Sequence, residues 1–74
     1  MRNLPFGYRV KGGRAVPDPA EQKALAVIRR LRSKGQSLRD IGQALTDQGH
    51  KPRLAGRWEA GTLRHILAAD RSRR

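Results

Sequence analysis

A guanidinium presents a planar fork of N–H donors that matches two phosphate oxygens or the O6 and N7 edge of guanine, and thirteen of the 74 residues are arginine. With four lysines they face six acidic residues, which leaves a net charge of +11. Solubility needs a net charge of only ~2 to 8 in a small domain, so the excess points to a polyanion, and nucleic acid is the expected partner class.

The other reactive side chains do not combine into catalytic or ligating sets. Ser33, Ser37 and Ser72 have no neighbouring base signature, and Ser37 is better explained as a helix cap. His50 and His65 stand without cysteine or a carboxylate at ligand spacing. Gly12-Gly13 lacks the lysine placement of a phosphate-cradling loop. No catalytic residue, metal, cofactor or small-molecule substrate is therefore expected, and the arginines must act through binding.

Seventy-four residues make one small domain, a size that buries only ~60% of the unfolded chain's surface. No cysteine is present to staple it. No apolar run approaches the ~20 residues of a membrane span, and Met1-Arg-Asn-Leu-Pro5 carries no secretory segment, so a soluble cytoplasmic protein is expected.

The elements that position the arginines can be read from spacing. In residues 1–17, Tyr8-Arg-Val10 and Arg14-Ala-Val16 flank Lys11-Gly-Gly13, as a small hairpin or an ordered basic arm would. Asp18-Pro-Ala-Glu21 is a helix start: Asp as N-cap, Pro in the first turn, and Glu three after the cap. Ala24, Leu25, Ile28 and Leu31 then share a face, predicting a first helix over about Pro19–Lys34. Its other face carries Lys23, Arg29, Arg30 and Arg32, either as a solvated surface or as one lying near phosphates. Ser37 and Asp40 form a weak capping box before Leu38, Ile41, Ala44 and Leu45, with Gly49 as the stop. Gly42 inside that second helix costs ~1 kcal/mol relative to alanine, which a close helix crossing would justify. Leu63, Ile66 and Leu67 predict a third helix over about Glu59–Ala69, and Asp70-Arg-Ser-Arg-Arg74 reads as a frayed basic tail. The division is thus an arm (1–17), a three-helix domain (18–70) and a tail (71–74).

Turning Leu63, Ile66 and Leu67 inward leaves Ala60, Gly61, Thr62, Arg64, His65 and Ala68 on an exposed arc of the third helix. Arg64 is the candidate for guanine readout, and the small Ala60 and Gly61 let the helix start approach a groove closely. Lys51, Arg53 and Arg57, in the Pro- and Gly-punctuated loop before it, suit phosphate neutralisation, as do Arg9 and Arg14 of the arm. Trp58 is expected inside the core with Leu25, Ile28, Ile41, Leu45 and Ile66.

Leu4-Pro-Phe-Gly-Tyr-Arg-Val10, Val16-Pro-Asp-Pro-Ala-Glu21, Ser37-Leu-Arg-Asp-Ile41, Gly56-Arg-Trp58 and Thr62-Leu-Arg-His-Ile-Leu67 closely resemble, in order and spacing, the recombinase domain of the serine recombinases. The resemblance implies a module that holds a recombination site while a separate catalytic domain cuts and exchanges strands. It also implies that the loop ending Gly56-Arg57-Trp58 and the helix after it face DNA, which carries onto Arg57, Thr62 and Arg64. The catalytic domain's Tyr-x-Arg-Val-Ser type motif is only superficially matched at Tyr8-Arg-Val10, since no serine follows. Glu59 departs from the Ser or Thr usual after the tryptophan; it caps a helix less well and is repelled by phosphate.

The expectation is a mainly α, helix-turn-helix-like domain of three helices behind a short β-hairpin or extended arm, binding double-stranded DNA. It is taken either from a serine site-specific recombinase, where other parts of the parent protein would serve self-association, or from a free-standing regulator of a mobile element. An RNA-binding basic protein is the rival reading, and a protein-interaction module using the apolar helices is the third.

Overall fold

Local signals at the ends of the first two helices build the frame of this computed structural model, which describes residues 4–53 and 56–72. Asp18 is the N-cap of α1 (Pro19–Ser33), its Oδ1 accepting from the N–H groups of Ala20 at 3.0 Å and Glu21 at 3.2 Å. The Ser37 hydroxyl accepts from Asp40 N–H at 3.1 Å and starts α2 (Leu38–Asp47) in the same way. Both helices close with paired backbone bonds around a glycine. Gln36 N–H reaches Leu31 O and Gly35 N–H reaches Arg32 O after α1, and His50 to Leu45 with Gly49 to Thr46 repeats the pattern after α2. The third helix, α3, spans Ala60–Ser72.

Ahead of the helices, β1 (Tyr8–Lys11) and β2 (Arg14–Pro17) pair antiparallel with Lys11 opposite Arg14, so the arm is a hairpin. Gly12 and Gly13 close it with φ of +59° and +77°, the left-handed pair a two-residue turn needs. The molecule is mainly helical, three helices behind a two-stranded antiparallel hairpin.

One buried cluster joins the helices: Ala24, Leu25, Val27 and Ile28 of α1, Ile41 and Leu45 of α2, and Leu63 and Ile66 of α3. Trp58 is not at its centre. It is half-buried on the rim, edge-on to Phe6 at 5.7 Å between ring centroids, with its Nε1 donating to His50 O at 3.1 Å. An indole seeks an acceptor for its N–H, and the rim supplies one that an aliphatic centre lacks. Gly42 is buried against this tryptophan, where an added Cβ would lie 3.2 Å from Trp58 Cβ. The close approach expected at Gly42 is therefore to the residue leading into α3 as much as to the helix itself.

The expected end of the third helix is corrected. It runs on to Ser72, three residues beyond Ala69, because Asp70 is not part of a frayed tail but 4% exposed and ion-paired with Arg29 of α1. The rest of the expected tail, Arg73 and Arg74, lies outside the described residues.

Candidate nucleic-acid interface

Burying Leu63 and Ile66 turns the opposite side of α3 to solvent, and Ala60, Gly61, Thr62, Arg64, His65 and Ala68 are all exposed. No carboxylate lies on that arc, the one acid within α3 being the buried Asp70. Glu59 sits just before the arc: its carbonyl accepts from Leu63 N–H at 3.1 Å, and its carboxylate meets Arg57 Nε at 3.3 Å. With the Arg57 side chain 80% exposed, that pair is screened by solvent and holds the arginine weakly. Lys51 is also exposed in the loop.

In the hairpin, side chains alternate across the strands and the register sets Arg9 opposite Val16 and Lys11 opposite Arg14. Arg9, Lys11 and Arg14 therefore share one face, and all three are exposed. The expected contact residues of arm, loop and helix are thus all exposed, but the guanidinium of Arg53 is already engaged within the protein.

Arg53 is turned inward. Its Nε and Nη2 grip Glu21 at 2.7 Å each, Nη1 donates to Leu4 O at 2.6 Å, and Nη2 also reaches Pro5 O and Tyr8 O. The guanidinium lies 5.8 Å from the centroid of the Phe6 ring. The hydrogen bonds to Glu21 raise its already high pKa, against the opposing effect of burial. Glu21 does not close the expected capping box. Its Oε1 instead accepts from Gly7 N–H at 2.8 Å, while Gly7 O takes Gln22 Nε2 and Asp18 N–H. This knot ties the strand entering the hairpin, the start of α1 and the loop before α3 into one unit. Only the local fragment of it, a glutamate three after an N-cap, was visible in the sequence.

Arg29 is the second committed arginine. Its fork meets the Asp70 carboxylate with Nε and Nη2, Nε lying 3.0 Å from Oδ2, and these bonds raise its pKa. Asp70 occupies the Leu63–Ile66 stripe one turn further on, and a carboxylate at an apolar-stripe position was the signal of a buried pair. Beside the pair, an open groove of about 480 Å³ runs between α1 and α3, with Arg29, Arg32, Arg64 and Arg71 on its walls.

The Recombinase family model matches residues 19–72. The chain belongs to the Recombinase family. No curated protein and no solved structure matches it. The Recombinase match takes in all three helices, both committed arginines and the loop with Arg57, and it stops short of the hairpin. Membership ties the chain to DNA recombination; the residues resembling serine recombinases before Pro19 lie outside the matched span. Among the described residues no helix is long and apolar enough to cross a membrane, and no group of three or more His, Asp or Glu side chains is placed to hold a metal ion.

Proposed function

We propose that the chain binds double-stranded DNA as the site-holding module of a serine site-specific recombinase, with cutting and strand exchange left to a separate catalytic domain in the cytoplasm. The observation that carries this reading is the exposed arc of α3 in a Recombinase-family domain: small at Ala60 and Gly61, polar at Thr62, Arg64 and His65, and free of carboxylates. A helix of this kind fits a major groove ~12 Å wide. Its first turn brings unsatisfied N–H groups and a positive end toward phosphate.

In this reading α2 and α3 act as a helix-turn-helix, Arg64, Thr62 and His65 face base edges, and Arg57, Lys51, Arg9 and Arg14 hold the backbone. Arg53 acts indirectly, by fixing the loop and the hairpin entry on Glu21. Anisotropy titrations with labelled duplex DNA, competed by unlabelled duplex or by structured RNA, test the reading. Displacement by duplex at far lower concentration than by RNA is expected. Preferential displacement by RNA would transfer the chain to the RNA-binding class, and a protein that self-associates while ignoring both would be an interaction module.

A further inference from the structure

The groove between α1 and α3 meets the exposed arc only at Arg64 and Ala68, and it gathers guanidinium groups from both helices. Four guanidinium groups line it, and its one carboxylate, Asp70, is buried against Arg29. The Arg32 side chain gives one N–H to Gln36 O; the side chains of Arg64 and Arg71 make no hydrogen bond or ion pair among the described residues. Leu38, Leu67 and Ala68 supply apolar lining. A cleft walled by one sign of charge over a low-dielectric floor focuses its field and concentrates counter-ions of opposite sign.

We infer that this groove is a phosphate-binding seat, formed by Arg29, Arg32 and Arg71 with Arg64 at its margin. The seat rests on the DNA-binding reading for the source of its phosphate, the duplex backbone. Asp70 is its positioning residue. By holding Nε and Nη2 of Arg29 it fixes the fork and leaves the Nη1 donors available to an anion. Arg64 and Arg71 are seven residues apart, roughly 10 Å along the α3 axis at 1.5 Å per residue. A DNA strand presents a phosphate about every 3.4 Å of duplex axis. A strand bordering the groove that α3 enters would therefore run past the seat, and α1 would grip the backbone while the arc of α3 faces the bases.

Two measurements on the full chain decide it. In the first, the salt dependence of duplex binding is compared for wild type, Arg32→Gln/Arg71→Gln and the charge-keeping Arg32→Lys/Arg71→Lys. Each lost phosphate contact lowers the slope of log K against log salt by about 0.9, so the glutamine pair should lose about 1 to 2 from it with the selected motif unchanged. The lysine pair should keep the slope, and a native thermal transition in both variants separates this from misfolding. In the second, arginine Nε–Hε resonances are followed during titration with duplex and, separately, with pyrophosphate. Shifts at Arg29, Arg32 and Arg71 with duplex support the seat and its source. If wild type ignores duplex, the DNA reading fails by itself; saturable shifts with pyrophosphate would then keep the seat with a free phosphate as ligand. A wild-type slope in the glutamine pair while wild type binds duplex, or no shift with either ligand, overturns the seat.

Discussion

An arginine whose fork is held by a glutamate and three main-chain carbonyls is not placed to neutralise a phosphate as well, which separates Arg53 from Lys51 although both lie in one short loop. Removing Arg53 strands a half-buried carboxylate that Gly7 N–H alone then satisfies. Hydrogen bonds to charged groups contribute ~1.5 to 3 kcal/mol; the Arg53 side chain is 35% exposed, so the lower part of that range applies. Arg53→Ala should therefore lower the melting temperature by roughly 6 to 12 °C, at about 4 to 8 °C per kcal/mol in a domain this small. Lys51→Ala should leave it within error and weaken binding to all duplexes alike. An Arg53→Ala protein with a native melting temperature and weakened DNA binding would return Arg53 to the interface. Arg64 belongs to a third class, on a rigid helix with no internal partner. Arg64→Ala should cost ~1 to 3 kcal/mol at a preferred site and flatten the preference between sequences, checked by selecting randomised duplexes against wild type and variant. An unchanged enriched motif would make Arg64 a backbone contact.

At the level of elements, what was legible in the sequence was what depends on near neighbours. Asp18 and Ser37 as caps, the glycine stops after two helices, and Gly12-Gly13 as a turn each act within a few residues, so type and spacing suffice to read them. The misreadings at Glu21, Trp58 and Asp70 share a cause: each side chain finds a partner distant in sequence, Arg53, Phe6 or Arg29, and no local pattern names it. The arc of α3 was legible because three apolar positions define the face opposite; the α1–α3 groove was not, because it needs the relative placement of two helices. Gly42 tests that packing. Alanine there gains ~1 kcal/mol of helix propensity, but its Cβ would stand 3.2 Å from Trp58 Cβ and 3.4 Å from Trp58 O. Those atoms belong to or adjoin the backbone, and Trp58 is held by Phe6 and by His50 O, so α2 must move instead. Overpacking of this kind costs ~1 to 3 kcal/mol. Gly42→Ala should be destabilising by about 1 kcal/mol and Gly42→Val by more, measured by thermal unfolding. A Gly42→Ala protein more stable than wild type would mean that the approach of α2 to Trp58 is not tight.

Over the whole molecule, two of the six carboxylates are locked into arginine pairs, and Asp40, Asp47 and Glu59 remain exposed. Glu21 and Asp70 are locked to arginines, Asp18 caps α1, Asp40 lies in the first turn of α2, Asp47 accepts from Gln43, and Glu59 pairs with Arg57. The charge turned outward is cationic on the hairpin face, in the loop and along α3. The fold spans 36 × 26 × 19 Å. If about five phosphates are neutralised, log K should fall with log salt at a slope of about −4 to −5. The hairpin lies outside the family match, and its share can be measured separately. Replacing Arg9, Lys11 and Arg14 together by alanine removes three exposed cations that sit on one face without ion-pair partners among the described residues. The melting temperature should hold, because surface changes away from packed features stay within about 0.5 kcal/mol. The slope should shrink by roughly 2 to 3, at about 0.9 per contact. A slope unchanged by the triple substitution would leave DNA binding to the three helices that carry the family match, with the hairpin an appendage facing away from the duplex. A wild-type titration flat in salt would remove the electrostatic basis of the DNA reading altogether.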